Sequence, residues 1–288
     1  MSIFFGIIAG FLDSLKNVAA KKETKQFSES TINFAWMFFA TVITLPLALF
    51  NIPNSIPIEL IVVFVSVTIL DFFAYILYLK SIKITDLSLS LPMLALTPVF
   101  VLVISWVFLS QEVKNNALIG VLLIIVGGYL LNITKTKQGL LDPFVNVVKN
   151  KGVFYMFITS LLWGIANSLH KIGITESNPL FYTGMSYLFL TILYLLKLLI
   201  EEKNKNFLII FKPSSMKVLS LVGIFEGLTA IFQFLSQGLV TSSVLTIALK
   251  RTSIVFSSIL GAIFFKENIK NRLIPIVLIL IGVILISI

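Results

Sequence analysis

The sequence predicts an all-α membrane protein, ten transmembrane helices in two inverted five-helix repeats. Three observations carry that expectation: 58% of the 288 residues are hydrophobic and 12% charged, the apolar residues gather into long runs, and the two halves of the chain repeat one another at nearly constant offset.

Composition sets the class. A mean hydropathy of +1.03 exceeds what the surface of a water-soluble domain accommodates. Apolar runs of roughly twenty residues match a ~30 Å hydrocarbon core at 1.5 Å rise per residue. The chain has no cysteine and one histidine, so thiol chemistry is excluded and a histidine-rich metal site is not expected. No phosphate-binding lysine loop, nucleophile elbow or dinucleotide fingerprint occurs, so neither an ATP-driven pump nor a soluble-type enzyme has its parts, and no cofactor is expected.

The expected spans, in order, are Ser2 to Ala20, Ile32 to Phe50, Ile58 to Leu79, Leu87 to Leu109, Asn116 to Ile133, Gly152 to Lys171, Leu180 to Ile200, Val218 to Leu239, Ser243 to Phe265 and Leu273 to Ile288. The first contains Asp13 and Lys16, lacks a small-residue cleavage site, and reads as a retained helix rather than a signal peptide. Long polar connections lie only at Thr134 to Lys151 and Glu201 to Lys217. The first of these separates a repeat over 1–134 from a second over 152–288, with a cytoplasmic linker at 135–151.

The repeat is read by subtraction. A shift of 155 superposes Asp71 on Glu226, Glu112 on Glu267, Asn116 on Asn271 and Gly127 on Gly282. A shift of 150 brings Asn17 onto Asn167 and Lys21 onto Lys171 in the first two helices of each half. Five crossings is an odd number, so the second half enters the bilayer from the opposite side, and such inverted pairs frame a site near the midplane.

Lysine and arginine predict the orientation. Of 22 cations, Lys16, Lys250 and Arg251 fall inside spans; 17 of the others lie on one side, against only Lys114 and Lys171 on the other. That side is expected to be cytoplasmic, with both termini outside. The same bias accounts for the net charge of +9, so membrane lipids rather than nucleic acid are the expected partners.

A charge in the bilayer centre costs at least ~2.5 kcal/mol on insertion scales, so the buried ionisable groups are the informative ones. Asp71 and its repeat mate Glu226 lie deep in the third and eighth spans. They read either as proton- or cation-coupling carboxylates around one cavity or as partners in interhelical ion pairs. Lys250 and Arg251 in the ninth span replace Ala95 and Leu96 of the first half, an asymmetry that suits a substrate site. Adjacent residues of a helix point about 100° apart, so one is expected to face the cavity and the other a neighbouring helix or the headgroups. The alternative is that the two cations neutralise Asp71 and Glu226. Asp13 and Lys16, three apart, are expected to pair with each other. Trp163, Asn167, His170 and Gln233 complete the substrate-site candidates, with interfacial anchoring or helix bridging as alternatives. Glu112 and Glu267 read as helix N-terminal carboxylates, Pro92 and Pro98 as kinks in the fourth span, and Gly120, Gly127, Gly128, Gly261 and Gly282 as points of close helix contact.

Two stretches, LTPVFVLVISWVFLSQEVKNNALIGVLLIIVGG and LKRTSIVFSSILGAIFFKENIKNRLIPIVLILIGV, share a helix, an acidic tight connection and a glycine-containing helix. Together with the Leu162, Trp163, Gly164 run followed by Asn167 and Lys171, they make the chain resemble the EamA-like families of the drug/metabolite transporter superfamily. Asp13 and Lys16 depart from the more apolar first helix usual there. The resemblance implies a secondary transporter for a small polar or anionic metabolite working by alternating access. The Leu249, Lys250, Arg251 run is similar to the Lys-Arg pair of plastid triose-phosphate translocators, where the cations hold a phosphate. Sugar uptake, export of amino acids or drugs, and a membrane scaffold or lipid-processing role are the other functions weighed.

Overall fold

The computed structural model describes residues 1–24, 26–85, 90–109, 115–133, 149–202, 210–265 and 273–287. Glu112, Lys114, Glu267, Asn271 and most of the linker lie outside them. The described residues form α1 (Ser2–Glu23), α2 (Glu29–Leu49), α3 (Ile58–Ile84), a 3₁₀ segment (Leu91–Leu96), α4 (Thr97–Leu109), α5 (Asn115–Ile133), α6 (Lys151–Glu176), α7 (Pro179–Glu202), α8 (Pro213–Gly238), α9 (Ser243–Lys250), α10 (Thr252–Phe265) and α11 (Leu273–Ser287). Six of these, α1, α2, α3, α6, α7 and α8, are long and apolar enough to cross a bilayer, and shorter apolar helices lie at Met93–Phe108, Asn115–Leu130 and Leu273–Ile286.

Local signals start these helices where the polar residues stand. Ser28 accepts from the backbone of Thr31 at the head of α2, Asn150 accepts from Gly152 and Val153 at the head of α6, and Ser242 accepts from Val244 at the head of α9. The radial pattern inverts that of a soluble protein. Val62, Val65, Ile69 and Phe73 of α3 and Trp106, Val107 and Phe108 of α4 are exposed, whereas Asp13, Lys16, Asp71, Glu226 and Arg251 are buried. Lipid as the outer solvent rewards that arrangement.

Packing follows a regular scheme: α3 lies along α6, α1 along α8, α2 against α7 and α5 against α11, while α8 also touches α2 and α3 touches α7. Exchanging α1 with α6, α2 with α7 and α3 with α8 turns α3–α6 into α1–α8 and α2–α8 into α3–α7, and leaves α2–α7 as it is. At the α2–α7 crossing the hydroxyls of Thr41 and Thr191, 150 residues apart, meet at 2.8 Å. Gly120 of α5 and Gly282 of α11 let the two backbones approach closely: a Cβ on either would meet the other's carbonyl oxygen at 2.5 Å.

Two expected continuous helices are broken. The fourth span begins with 3₁₀ backbone, and α4 starts only at Thr97, with Pro98 in its first turn. A proline there lacks an N–H that no carbonyl needs, so it starts a helix instead of kinking one. The ninth span ends α9 at Lys250, turns at Arg251 and restarts α10 at Thr252. Thr97 and Thr252, the first residues after the two breaks, are separated by the 155-residue shift.

Candidate functional site

The break at Arg251 opens onto the centre of the bundle. A cavity of about 40 Å³ there is bordered by side chains of α3, α6, α7, α8 and α9 and by Arg251 at the break. Asp71, Trp163, Asn167, His170, Glu226, Gln233, Lys250 and Arg251 all border it. These are the eight residues singled out from the sequence as substrate-binding or coupling candidates. The expectation that Lys250 and Arg251 diverge, one to the cavity and one to a neighbouring helix, is corrected. The 100° rule applies to an uninterrupted helix, and here the helix ends between them.

Glu226 is the most tightly held group. Its Oε1 accepts from the hydroxyls of Tyr75 and Tyr187, the latter at 2.6 Å, and its Oε2 lies 2.8 Å from Lys16 Nζ. Lys16 also pairs with Asp13 Oδ1 at 2.8 Å and sits 5.6 Å over the ring of Tyr78. Asp13 Oδ2 in turn accepts from Asn17 at 3.3 Å, and Asn17 Oδ1 accepts from the Tyr78 hydroxyl at 2.5 Å. The expected Asp13–Lys16 pair is present, but Lys16 is shared with a second carboxylate. Among the described residues neither Lys250 nor Arg251 makes a close ion pair with Asp71 or Glu226.

Asp71, 155 residues before Glu226, has a different partner. Its Oδ2 lies 3.3 Å from His170 Nε2, and His170 Nδ1 lies 3.1 Å from the Tyr182 hydroxyl. An imidazole that donates from Nε2 to Asp71 accepts at Nδ1 from Tyr182, so the ring bridges α3 and α7. Opposite, Lys250 Nζ donates to Gln233 Oε1 at 2.7 Å, Gln233 Nε2 to Asn167 Oδ1 at 2.7 Å, and Asn167 Nδ2 to the Trp163 carbonyl at 2.6 Å. Among the described residues neither Lys250 nor Arg251 has a carboxylate oxygen within 4.0 Å, and the buried Arg251 Nε has no hydrogen-bond partner. Two cations thus border a buried polar cavity with their charge answered only at a distance, an arrangement suited to an incoming anion.

Sequence reasoning did not select Tyr75, Ser186 and Tyr187, which also line the cavity. Tyrosine carries no charge to betray burial in an apolar run, so no sequence signal separates these from packing aromatics. Another unselected residue is Glu23, past the end of the first apolar span. It is fully buried, its Oε2 accepts from Trp36 Nε1 at 2.6 Å, and its Oε1 has no hydrogen-bond partner among the described residues. Burial pushes its carboxyl up to about 8, the Trp36 bond opposing.

The model of the EamA-like transporter family matches residues 1–133 and 150–288, nearly the whole chain. The chain belongs to the EamA-like transporter family. It is therefore a multi-pass integral membrane protein of a transporter family. A protein from Archaeoglobus fulgidus, described as an uncharacterized transporter, is 29% identical over 276 residues, covering 95% of this chain and 93% of that protein. A solved crystal structure shares the fold with a TM-score of 0.71 at 15% identity, covering 99% of this chain and 95% of its own.

Proposed function

We propose that this EamA-like transporter is a secondary transporter moving a small polar, anionic metabolite by alternating access of two inverted five-helix repeats, ten spans in all, with Glu226 as the coupling carboxylate for a proton. The observation that carries the reading is the pair of cavity cations, Lys250 and Arg251, that no carboxylate among the described residues pairs at close range. Asn167, His170, Trp163 and Gln233 supply polar and aromatic contacts to the substrate, and Asp71 is the second coupling carboxylate.

Charge balance gives the coupling a physical basis. Around the cavity and the ion-pair network that adjoins it, Asp13, Asp71 and Glu226 against Lys16, Lys250 and Arg251 are three acidic and three basic side chains, which sum to zero formal charge. A monoanion bound at Lys250 and Arg251 leaves one negative charge in excess, and a proton on Glu226 removes it while Lys16 keeps Asp13 as its partner. Proton and anion then cross together without moving net charge. A cavity of 40 Å³ holds on the order of three waters, so substrate entry requires the helices around it to part.

The lysine-rich face is the cytoplasmic one in this reading, with both termini outside. A C-terminal alkaline phosphatase fusion should be active, and fluorescence of a cytoplasm-only reporter at Ile288 would reverse the orientation. Transport itself is tested by uptake and efflux of a panel of anionic, zwitterionic and neutral metabolites in proteoliposomes with an imposed proton gradient. Acceleration of an anionic solute by the gradient is expected. A panel in which only neutral or cationic solutes move overturns the anion assignment, and one in which nothing moves under any gradient points to a scaffold.

A further inference from the structure

Two lysines related by the 150-residue shift make the same unusual contact in the two halves. Lys21 on α1 donates to the carbonyl oxygens of Ile82 and Thr85 at the C-terminus of α3, the second at 2.8 Å. On α6, Lys171 donates to the carbonyl oxygens of Gln237, at 2.9 Å, and Val240, at 2.6 Å, at the C-terminus of α8. The acceptors are themselves paired by the 155-residue shift, Ile82 with Gln237 and Thr85 with Val240. At the same end as each lysine a serine ties the long-packed pair instead: Ser81 of α3 donates to the Gly152 carbonyl of α6 at 2.6 Å, and Ser236 of α8 to the Ser2 carbonyl of α1 at 2.8 Å. One helical turn inward each seam continues with an asparagine, Asn17 accepting from Tyr78 and Asn167 from Gln233.

These clusters lie at opposite ends of the bundle. Gly152, in the Lys21 cluster, and Lys171 are nineteen residues apart on α6, about 29 Å at 1.5 Å per residue. A lysine ammonium on the last carbonyls of a helix meets the negative end of its dipole with charge-assisted hydrogen bonds. Each contact ties a helix of one half to another of the same half, α1 to α3 and α6 to α8, whereas the long packing contacts join α3 to α6 and α1 to α8. The lysines therefore span the seams that separate when the pair α3–α6 moves against the pair α1–α8.

We propose that Lys21 and Lys171 are the latches of two gates on opposite membrane faces, the α1–α3 seam and the α6–α8 seam, both closed here. Opening the cavity to one face releases one latch and leaves the other made. The proposal rests on the alternating-access reading above, but its test needs no substrate, so failure of transport and failure of the latches are read separately. The chain has no cysteine, so Ser186→Cys places a single thiol on the cavity wall. A membrane-impermeant maleimide is applied to right-side-out and inside-out vesicles carrying this probe with Lys21→Gln, Lys171→Gln or the corresponding arginine substitutions. Loss of a charge-assisted pair of hydrogen bonds should raise labelling about tenfold, from the Lys21 face for Lys21→Gln and from the opposite face for Lys171→Gln. Arginine at either position should keep the wild-type rate. Should a glutamine variant fail to fold, Lys21→Met and Lys171→Met, which keep the apolar stem of the side chain and remove the same two pairs of hydrogen bonds, are judged by the same criterion. Acceleration from one common face, or from neither face in variants that melt like wild type, overturns the proposal.

Discussion

Lys16 Nζ stands 2.8 Å from Glu226 Oε2 and, at the same time, 2.8 Å from Asp13 Oδ1, so one ammonium holds two buried carboxylates contributed by α1 and α8. The two charges of the first helix, Asp13 and Lys16, thus belong to the central network and not to a pair of their own.

Removing that ammonium leaves Asp13 and Glu226 buried without a close cation, a loss that typically costs about 3–5 kcal/mol. Lys16→Gln should lower the melting temperature in detergent by several degrees. Adding Glu226→Gln should recover part of the loss, because the second variant removes one of the stranded charges. Additive losses in this double-mutant cycle would mean the two residues are not coupled.

Lys250→Gln and Arg251→Gln should each weaken binding of anionic ligands at least about tenfold while changing binding of neutral ligands little, because a buried charged contact is lost. Ligand-induced shifts in melting temperature across a matched anionic and neutral panel provide the measurement. Variants that melt well below wild type yet keep its ligand preference would make the two cations structural.

Glu226→Gln should abolish acceleration by a proton gradient while sparing exchange of internal for external substrate, since a carboxamide keeps the tyrosine contacts but carries no titratable proton. Counterflow and gradient-driven uptake measured in the same proteoliposomes separate the two. An undiminished response to the gradient removes Glu226 from coupling.

Glu23 predicts a pH dependence of stability. Its carboxyl titrates near 8 in the folded chain against an ordinary value of 4.5. Across that interval the folded state holds a proton the unfolded state has lost, so stability falls as pH rises from about 4.5 to about 8 and is flat in this respect above it. Glu23→Gln, which still accepts from Trp36, should flatten the slope and raise the melting temperature most at pH 8. Melting curves from pH 5 to pH 9 that run parallel in the two proteins would remove Glu23 as the cause.

By itself the sequence determined the solvent, the helical class and the family, because hydropathy and the offsets of 150 and 155 are linear properties of the chain. It also singled out the cavity wall. A charge inside an apolar run has few places to lie except the bundle interior, and Asp71, Glu226, Lys250 and Arg251 all border one cavity for that reason. Only the tertiary structure decided which charges meet. Glu226 takes Lys16 and Asp71 takes His170, although the shift makes the two carboxylates equivalent, because partner choice depends on distances between helices far apart in the chain. Tyr75 and Tyr187 on Glu226 were likewise invisible among the aromatics of apolar runs, since a phenol reveals its role only through the acceptor it meets. The break at Arg251 lay beyond sequence periodicity as well. An apolar run reads the same whether one helix or two compose it, and only the packed backbone brings Lys250 and Arg251 to the same cavity.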